Sequence, residues 1–100
     1  MTQVALLSRV KAKPGKADEL IAAFQPLFDQ VEKEPGTLIY LLQRSTDDPD
    51  QFWVSELYAD ENAFAAHRDS QALAAAGPAL MAAITETEVL VGAPILTKGV

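Results

Sequence analysis

Two strand-like runs, Thr37 to Ser45 and Gln51 to Ala59, flank the turn-forming stretch Thr46-Asp47-Asp48-Pro49-Asp50, a pattern that specifies a hairpin with a five-residue loop. What constrains the fold most is that both runs are oily on both sides. A sheet with one wet face alternates apolar with polar residues, yet Leu38-Ile39-Tyr40-Leu41-Leu42 and Phe52-Trp53-Val54 do not. Both faces therefore need a cover, and the helices of the same chain can supply only one.

The rest of the chain is divided by Pro14-Gly15, Pro35-Gly36, Pro49, Gly77-Pro78 and Gly92 to Pro94, which read as element boundaries. Val4 to Lys11 is a short apolar-rich run before a Pro-Gly turn and reads as a strand. From Ala17 to Lys33, Leu20, Phe24, Leu27, Phe28 and Val31 form the stripe of an amphipathic helix with an acidic start at Asp18 and Glu19. Pro26 inside it is expected to kink the helix or shift its ends. Asp60 and Ser70 are candidate N-caps for helical stretches running to about His67 and to Ile84, and Thr87 to Leu96 returns as a last strand broken near Gly92. Right-handed crossovers turn the order βαββαβ into an α+β, ferredoxin-like sandwich with a four-stranded antiparallel sheet, predicted as a single domain over residues 1–100.

With regular pairing across the hairpin, Arg44 lies opposite Phe52, Leu42 opposite Val54, Tyr40 opposite Glu56 and Leu38 opposite Tyr58, all on one face. Ile39, Leu41, Gln43, Trp53, Ser55 and Leu57 occupy the other. A four-stranded sheet has a footprint of about 440 Å² per face, too large an apolar patch to leave in water. Covering it is worth roughly 11 kcal/mol before association costs. The expected cover is a second copy of the chain, in a homodimer formed through the face that carries Ile39, Leu41, Trp53 and Leu57.

Composition narrows the function. Eight Lys and Arg against 14 Asp and Glu give a net charge of −6, which argues against nucleic-acid and anionic-membrane partners. There is no cysteine and only one histidine, so thiolate metal sites, thiol nucleophiles and multi-histidine metal centres are excluded. The apolar run Val4 to Leu7 is too short for a signal-peptide core or a membrane span, and a cytoplasmic location is expected. No phosphate loop, nucleophile elbow or dinucleotide fingerprint occurs. The acidic loop around Pro49 reads as a solvated turn, and Glu86 and Glu88 as an exposed strand edge.

The face bearing Tyr40, Glu56 and Tyr58 gathers a carboxylate and two phenols among large apolar groups, as the wall of a pocket would. The lone histidine, His67, follows Ala63 by four and Phe64 by three and so lies on the helix flank that Phe64 anchors toward the sheet. Aimed inward opposite Glu56, its tautomer would be set by that carboxylate. Ten of the 22 residues from Ala63 to Ile84 are alanine, which either suits helix formation or leaves open volume beside the sheet.

AKPGKADELIAAF followed by EPGTLIYLLQRSTDDPDQFWVSELYADENAFAAHRDS resembles the antibiotic biosynthesis monooxygenase family, through Pro14-Gly15, Glu34-Pro35-Gly36, Tyr40, Phe52, Glu56, Tyr58, Ala63 and His67-Arg68-Asp69-Ser70. The resemblance implies a dimeric α+β barrel with a pocket between sheet and helices. The haem-degrading branch of that family uses an asparagine, a tryptophan and a histidine where this chain has Ser8, His67 and Gly77, so haem degradation of that type is not expected. What the resemblance does imply is a cofactor-independent monooxygenase that oxidises a small aromatic quinol or polyketide-like phenol with O₂ and needs no cofactor. His67 would be the base and Glu56 would orient or charge-balance it. Tyr40, Tyr58 and Ser8 would bind substrate oxygens, and Arg44 or Arg68 a substrate anion. Two alternatives stand beside it: an isomerase or proton-transfer enzyme acting on a small carbonyl compound, and a non-catalytic ligand-binding dimer whose pocket is filled by core side chains.

Overall fold

In a computed structural model, which describes residues 2–100, the first strand, β1, spans Val4–Ala12 and the first helix, α1, spans Ala17–Val31. The hairpin strands β2 (Thr37–Arg44) and β3 (Gln51–Tyr58) follow, then the short helices α2 (Glu61–Arg68) and α3 (Gln71–Ala83) and the last strand β4 (Ile84–Gly92). The two short helices together make the second crossover. All three pairings are antiparallel and the strand order is β2-β3-β1-β4, the ferredoxin-like arrangement expected from the sequence.

Local chemistry explains most boundaries. The α1 stripe buries Leu20, Phe24 and Leu27 against the sheet. Pro26 lies on its exposed side, and the helix runs through it to Val31. The Asp60 side chain accepts from the Ala63 N–H at 2.8 Å and caps α2. The Ser70 hydroxyl accepts from the Leu73 N–H at 3.2 Å and caps α3. In the hairpin loop, Ser45 Oγ accepts from two successive backbone N–H groups, and Asp48 is paired with Lys11.

Four expectations are corrected. Gly77-Pro78 is not a boundary but lies inside α3. The last strand begins at Ile84 because the chain passes from helix to extended backbone there without a loop, and it ends at Gly92 rather than Leu96. Helix α1 stops at Val31, two residues short of Lys33. Leu38 does not face Tyr58: a bulge between Thr37 and Ile39 pairs Thr37 with Tyr58 and leaves Leu38 exposed. From Tyr40 to Arg44 the register is as predicted, with Tyr40 opposite Glu56, Leu42 opposite Val54 and Arg44 opposite Phe52.

The core lies between the helices and the inner sheet face, around Val10, Leu20, Phe24, Leu27, Phe52 and Val54. The outer face has no cover from its own chain over much of its area. Leu7, Leu41 and Leu90 remain 41%, 53% and 57% exposed there, whereas Leu57 is already buried. One close approach positions α2. A methyl group on Gly36, at the mouth of β2, would sit 2.4 Å from the Ala63 methyl, so glycine is required there for space, its φ not being in the left-handed region.

Candidate active site

Glu56 and Tyr58 are two residues apart on β3 and therefore project from the same face, toward the helices. Tyr40 stands directly opposite Glu56 on β2, and Ser8 opposite Val54 on β1. The capped helix α2 then brings His67 down onto this face. It is the one buried polar residue of the described chain, with 3% of its surface exposed. Its ring lies 5.1 Å from the Tyr40 ring and 5.5 Å from the Tyr58 ring, centre to centre.

Two carboxylates flank the imidazole. Nδ1 lies 2.9 Å from Glu34 Oε1, and Nε2 lies 4.0 Å from Glu56 Oε1, so only the first is a hydrogen bond. Glu34 comes from the turn between α1 and β2, and the Thr37 hydroxyl donates to its Oε1 at 2.7 Å while the Gln30 amide donates to Oε2 at 3.0 Å. The two acids are driven apart. Burial alone would raise the Glu34 carboxyl, but the hydrogen bonds from Thr37, Gln30 and His67 outweigh it and hold the group below the usual glutamate value. For Glu56 burial dominates, and its carboxyl is raised despite the hydrogen bond donated by the Tyr58 hydroxyl and the nearby imidazole. Burial also raises both phenols, reinforced at Tyr58 by its bond to Glu56 and at Tyr40 by the charges of Glu56 and Glu34, so both stay protonated hydrogen-bond donors.

Beside this cluster is an open cavity of about 360 Å³ between the helices and the sheet. Its wall is largely apolar, from residues such as Val10, Phe24, Leu27, Val54 and Leu73, with Ser8, Tyr40, Glu56 and His67 as polar features. Volume and lining suit a small aromatic molecule. Four of the predicted site residues thus meet at one cavity. Tyr58 stands behind them, fully buried and bonded to Glu56. Arg44 is not at the cavity: it lies at the far end of β2, exposed, with its guanidinium 4.9 Å from the centre of the Phe52 ring. Arg68 reaches the cavity rim, but its charge is matched by Asp69 at 3.2 Å. Among the described residues no three His, Cys, Asp or Glu side chains form a group able to hold a metal ion. Glu34 is the site residue that sequence reasoning missed, although the Glu34-Pro35-Gly36 turn was part of the family pattern.

The family model described as antibiotic biosynthesis monooxygenase matches residues 3–79. The chain belongs to the antibiotic biosynthesis monooxygenase family. A Caulobacter crescentus CB15 protein assigned as an antibiotic biosynthesis monooxygenase is 28% identical, with a TM-score of 0.88 over 95% of this chain and 92% of that one. SnoaB from Streptomyces nogalater, a cofactor-independent oxygenase, shares the family fold with a TM-score of 0.85 over 99% of both chains at 19% identity. Protein SO0527 from Shewanella oneidensis is similar at 24% identity and a TM-score of 0.87, over 93% of this chain and 91% of that one. No curated protein matches the chain in sequence. Among the described residues of this family member, no helix is long and apolar enough to cross a membrane.

Proposed function

We propose that the chain is a cofactor-independent monooxygenase that oxidises a small aromatic quinol or polyketide-like phenol. The observation that carries this reading is the lone imidazole on the wall of an open, apolar 360 Å³ cavity. A cavity filled by core side chains would have favoured a purely structural or binding role. The family match and the cofactor-independent oxygenase named among the structural neighbours support the reaction class.

In this reading His67 takes the proton of a substrate hydroxyl, because its imidazole lines the cavity and a ring nitrogen with a free lone pair acts as a general base. The electron-rich anion passes an electron to O₂, and recombination forms a carbon-bound peroxide. Loss of water from it leaves a carbonyl, so one oxygen atom stays in the product and the other departs as water. The substrate supplies the electrons. Tyr40 and Ser8 donate hydrogen bonds to substrate oxygens, Glu56 balances the charge that forms on His67, and Tyr58 holds Glu56 in place. The apolar wall keeps water from the anion.

The working unit is a homodimer joined through the outer sheet face around Ile39, Leu41 and Trp53. A folded monomer of this mass ordinarily exposes about 5,500 Å², whereas this chain exposes 6335 Å². The excess is about 800 Å², close to what each partner contributes to a standard interface. Ile95 and Leu96, 92% and 94% exposed, add apolar surface that a second copy would cover.

The test is O₂ uptake with a panel of hydroquinones after metal chelation. Turnover without added cofactor, abolished in His67→Ala, is expected. Activity that requires added flavin or iron, or that survives His67→Ala unchanged, would overturn the reading. Turnover under strict anaerobiosis would instead point to proton-transfer chemistry.

A further inference from the structure

Glu34 does not line the cavity, and no element of the pattern around His67 announces it, yet among the described residues it makes the one hydrogen bond to the imidazole. We propose that Glu34 is a positioning residue: its carboxylate holds the Nδ1–H of His67, fixing Nε2 as the nitrogen that receives the substrate proton, and steadies the imidazolium that results. The inference rests on the reading of His67 as the base.

An ionised carboxylate can only accept. Both Glu34 oxygens are occupied as acceptors, Oε1 by the Thr37 hydroxyl and Oε2 by the Gln30 amide, with Oε1 shared by His67 Nδ1 at 2.9 Å. Nδ1 must therefore carry the proton of the neutral ring, and Nε2 keeps its lone pair. Nε2 is also the atom on the Glu56 side, 4.0 Å from Oε1 of a carboxyl that lines the cavity. The proton taken from the substrate thus arrives at Nε2, while the Nδ1 proton stays where it is. No proton has to pass on to Glu34, whose three hydrogen bonds favour its charged form. A carboxylate that orients a histidine and stabilises its cation, without itself being protonated, acts on the same physical basis as the buried acid of a catalytic triad.

Alternatives elsewhere carry less. The alanine-lined groove between α1 and α3 lacks a buried polar group that would orient a ligand. The surface cluster of Arg9, Lys11, Glu86 and Glu88 has its cations already matched, Arg9 by Glu88 and Lys11 by Asp48.

Because the chain has a single histidine, its ring nitrogens can be read without ambiguity by ¹⁵N-detected two-dimensional NMR. The wild-type protein is expected to show the neutral ring protonated at Nδ1, and Glu34→Ala to lose that preference. Glu34→Gln, which keeps the shape but not the charge, is expected to lower kcat for a responding hydroquinone by roughly 10- to 100-fold with KM little changed. Glu34→Asp restores part of the loss. A wild-type ring protonated at Nε2, or a ring unchanged in Glu34→Ala, overturns the inference, as does full activity in Glu34→Gln. The NMR readings need no turnover: if no quinol is oxidised but the Nδ1 tautomer depends on Glu34, the oxygenase reading fails and the positioning role stands.

Discussion

Replacing Gly36 with alanine tests the packing that delivers His67 to the sheet. The added Cβ would lie 2.4 Å from the Ala63 Cβ and 3.4 Å from its Cα. Ordinary carbon contacts are about 3.5–4.0 Å, so α2 has to retreat by more than about an ångström or the β2 entrance must bend. The Gly36 carbonyl accepts from the Ala59 N–H at 2.9 Å, which ties this point to the end of β3 and resists bending. Overpacking of this kind costs about 1–3 kcal/mol, and the loss of unfolded-chain freedom on replacing glycine returns about 0.4–1 kcal/mol. The net expectation is a loss of roughly 1–2 kcal/mol, or a melting temperature lower by about 4–16 °C for a domain of this size.

The clash is with one methyl group, so it can be removed from the other side. Ala63→Gly alone should cost about 0.5–1 kcal/mol through helix propensity. The double variant should be more stable than the two single losses added together, with a coupling of about 1 kcal/mol or more. Thermal melts of the four proteins measure this directly. Histidine NMR of Gly36→Ala adds a functional reading, since Glu34 lies two residues before Gly36 and His67 one helical turn after Ala63. A Gly36→Ala protein that melts with the wild type, or strictly additive losses in the double variant, would refute the close-approach argument.

Opposite shifts at the two site acids predict opposite pH behaviour. Glu34 titrates lower in the folded state than unfolded, so its stabilisation is present above the unfolded value and is lost as pH falls through the folded one; Glu34→Gln should be less stable than wild type near neutrality, and melts should converge in acid. Glu56 titrates higher when folded, so the buried charge weakens the fold once pH rises past that value; Glu56→Gln should gain stability at neutral pH and lose the gain in acid. Melts of Glu34→Gln that do not approach wild type in acid would contradict the first assignment. Tyr58 is fully buried and Tyr40 half-buried, and both phenols are raised, so tyrosinate absorbance should stay absent past about pH 10 and appear only with unfolding; a separate early step from either ring would be inconsistent. Leu41→Lys or Leu90→Lys on the outer face should convert a sedimenting dimer to monomer while the far-ultraviolet circular dichroism stays unchanged, and a persistent dimer would place the interface elsewhere.

Periodicity carried the reading of the fold because it is a property of single elements. The α1 stripe and the Tyr40–Glu56 register follow from the 3.6- and 2-residue repeats, and the inward turn of His67 follows from its spacing to Ala63 and Phe64. The errors fall where repeats end. The bulge at Leu38 shifts one residue at the strand entrance, and the uncapped passage from α3 into β4 leaves no turn residue to mark Ile84. Gly77-Pro78 looks like punctuation, but α3 packs against α1 and keeps its helical path through both residues. Glu34 was hidden for a different reason: it stands 33 residues from His67 in sequence, on a turn, and only the assembled fold makes them neighbours. Arg44 shows the reverse. Its place on the inner-face repeat is right, but distance along the strand carries it past the cavity to Phe52.

Chemically identical side chains on either side of one ring acquire different duties from their hydrogen-bond partners. Glu34 is met by an amide, a hydroxyl and an imidazole, three donors that stabilise negative charge and outweigh the effect of burial. Glu56 is met by one phenol and an imidazole at 4.0 Å, too little to offset its desolvation. Environments that push paired titratable groups apart separate acid and base roles. In the proposed reaction Glu34, held toward its charged form by three donors, fixes the ring, and Glu56, whose carboxyl burial raises, faces the cavity and meets the charge that forms on His67. In that reading a proton accepted at Nε2 creates a cation between the two acids, hydrogen-bonded to Glu34 and 4.0 Å from Glu56, whose ionisation the cation favours. Under the proposed reaction this places proton abstraction on the cavity side, in a wall that is otherwise largely apolar.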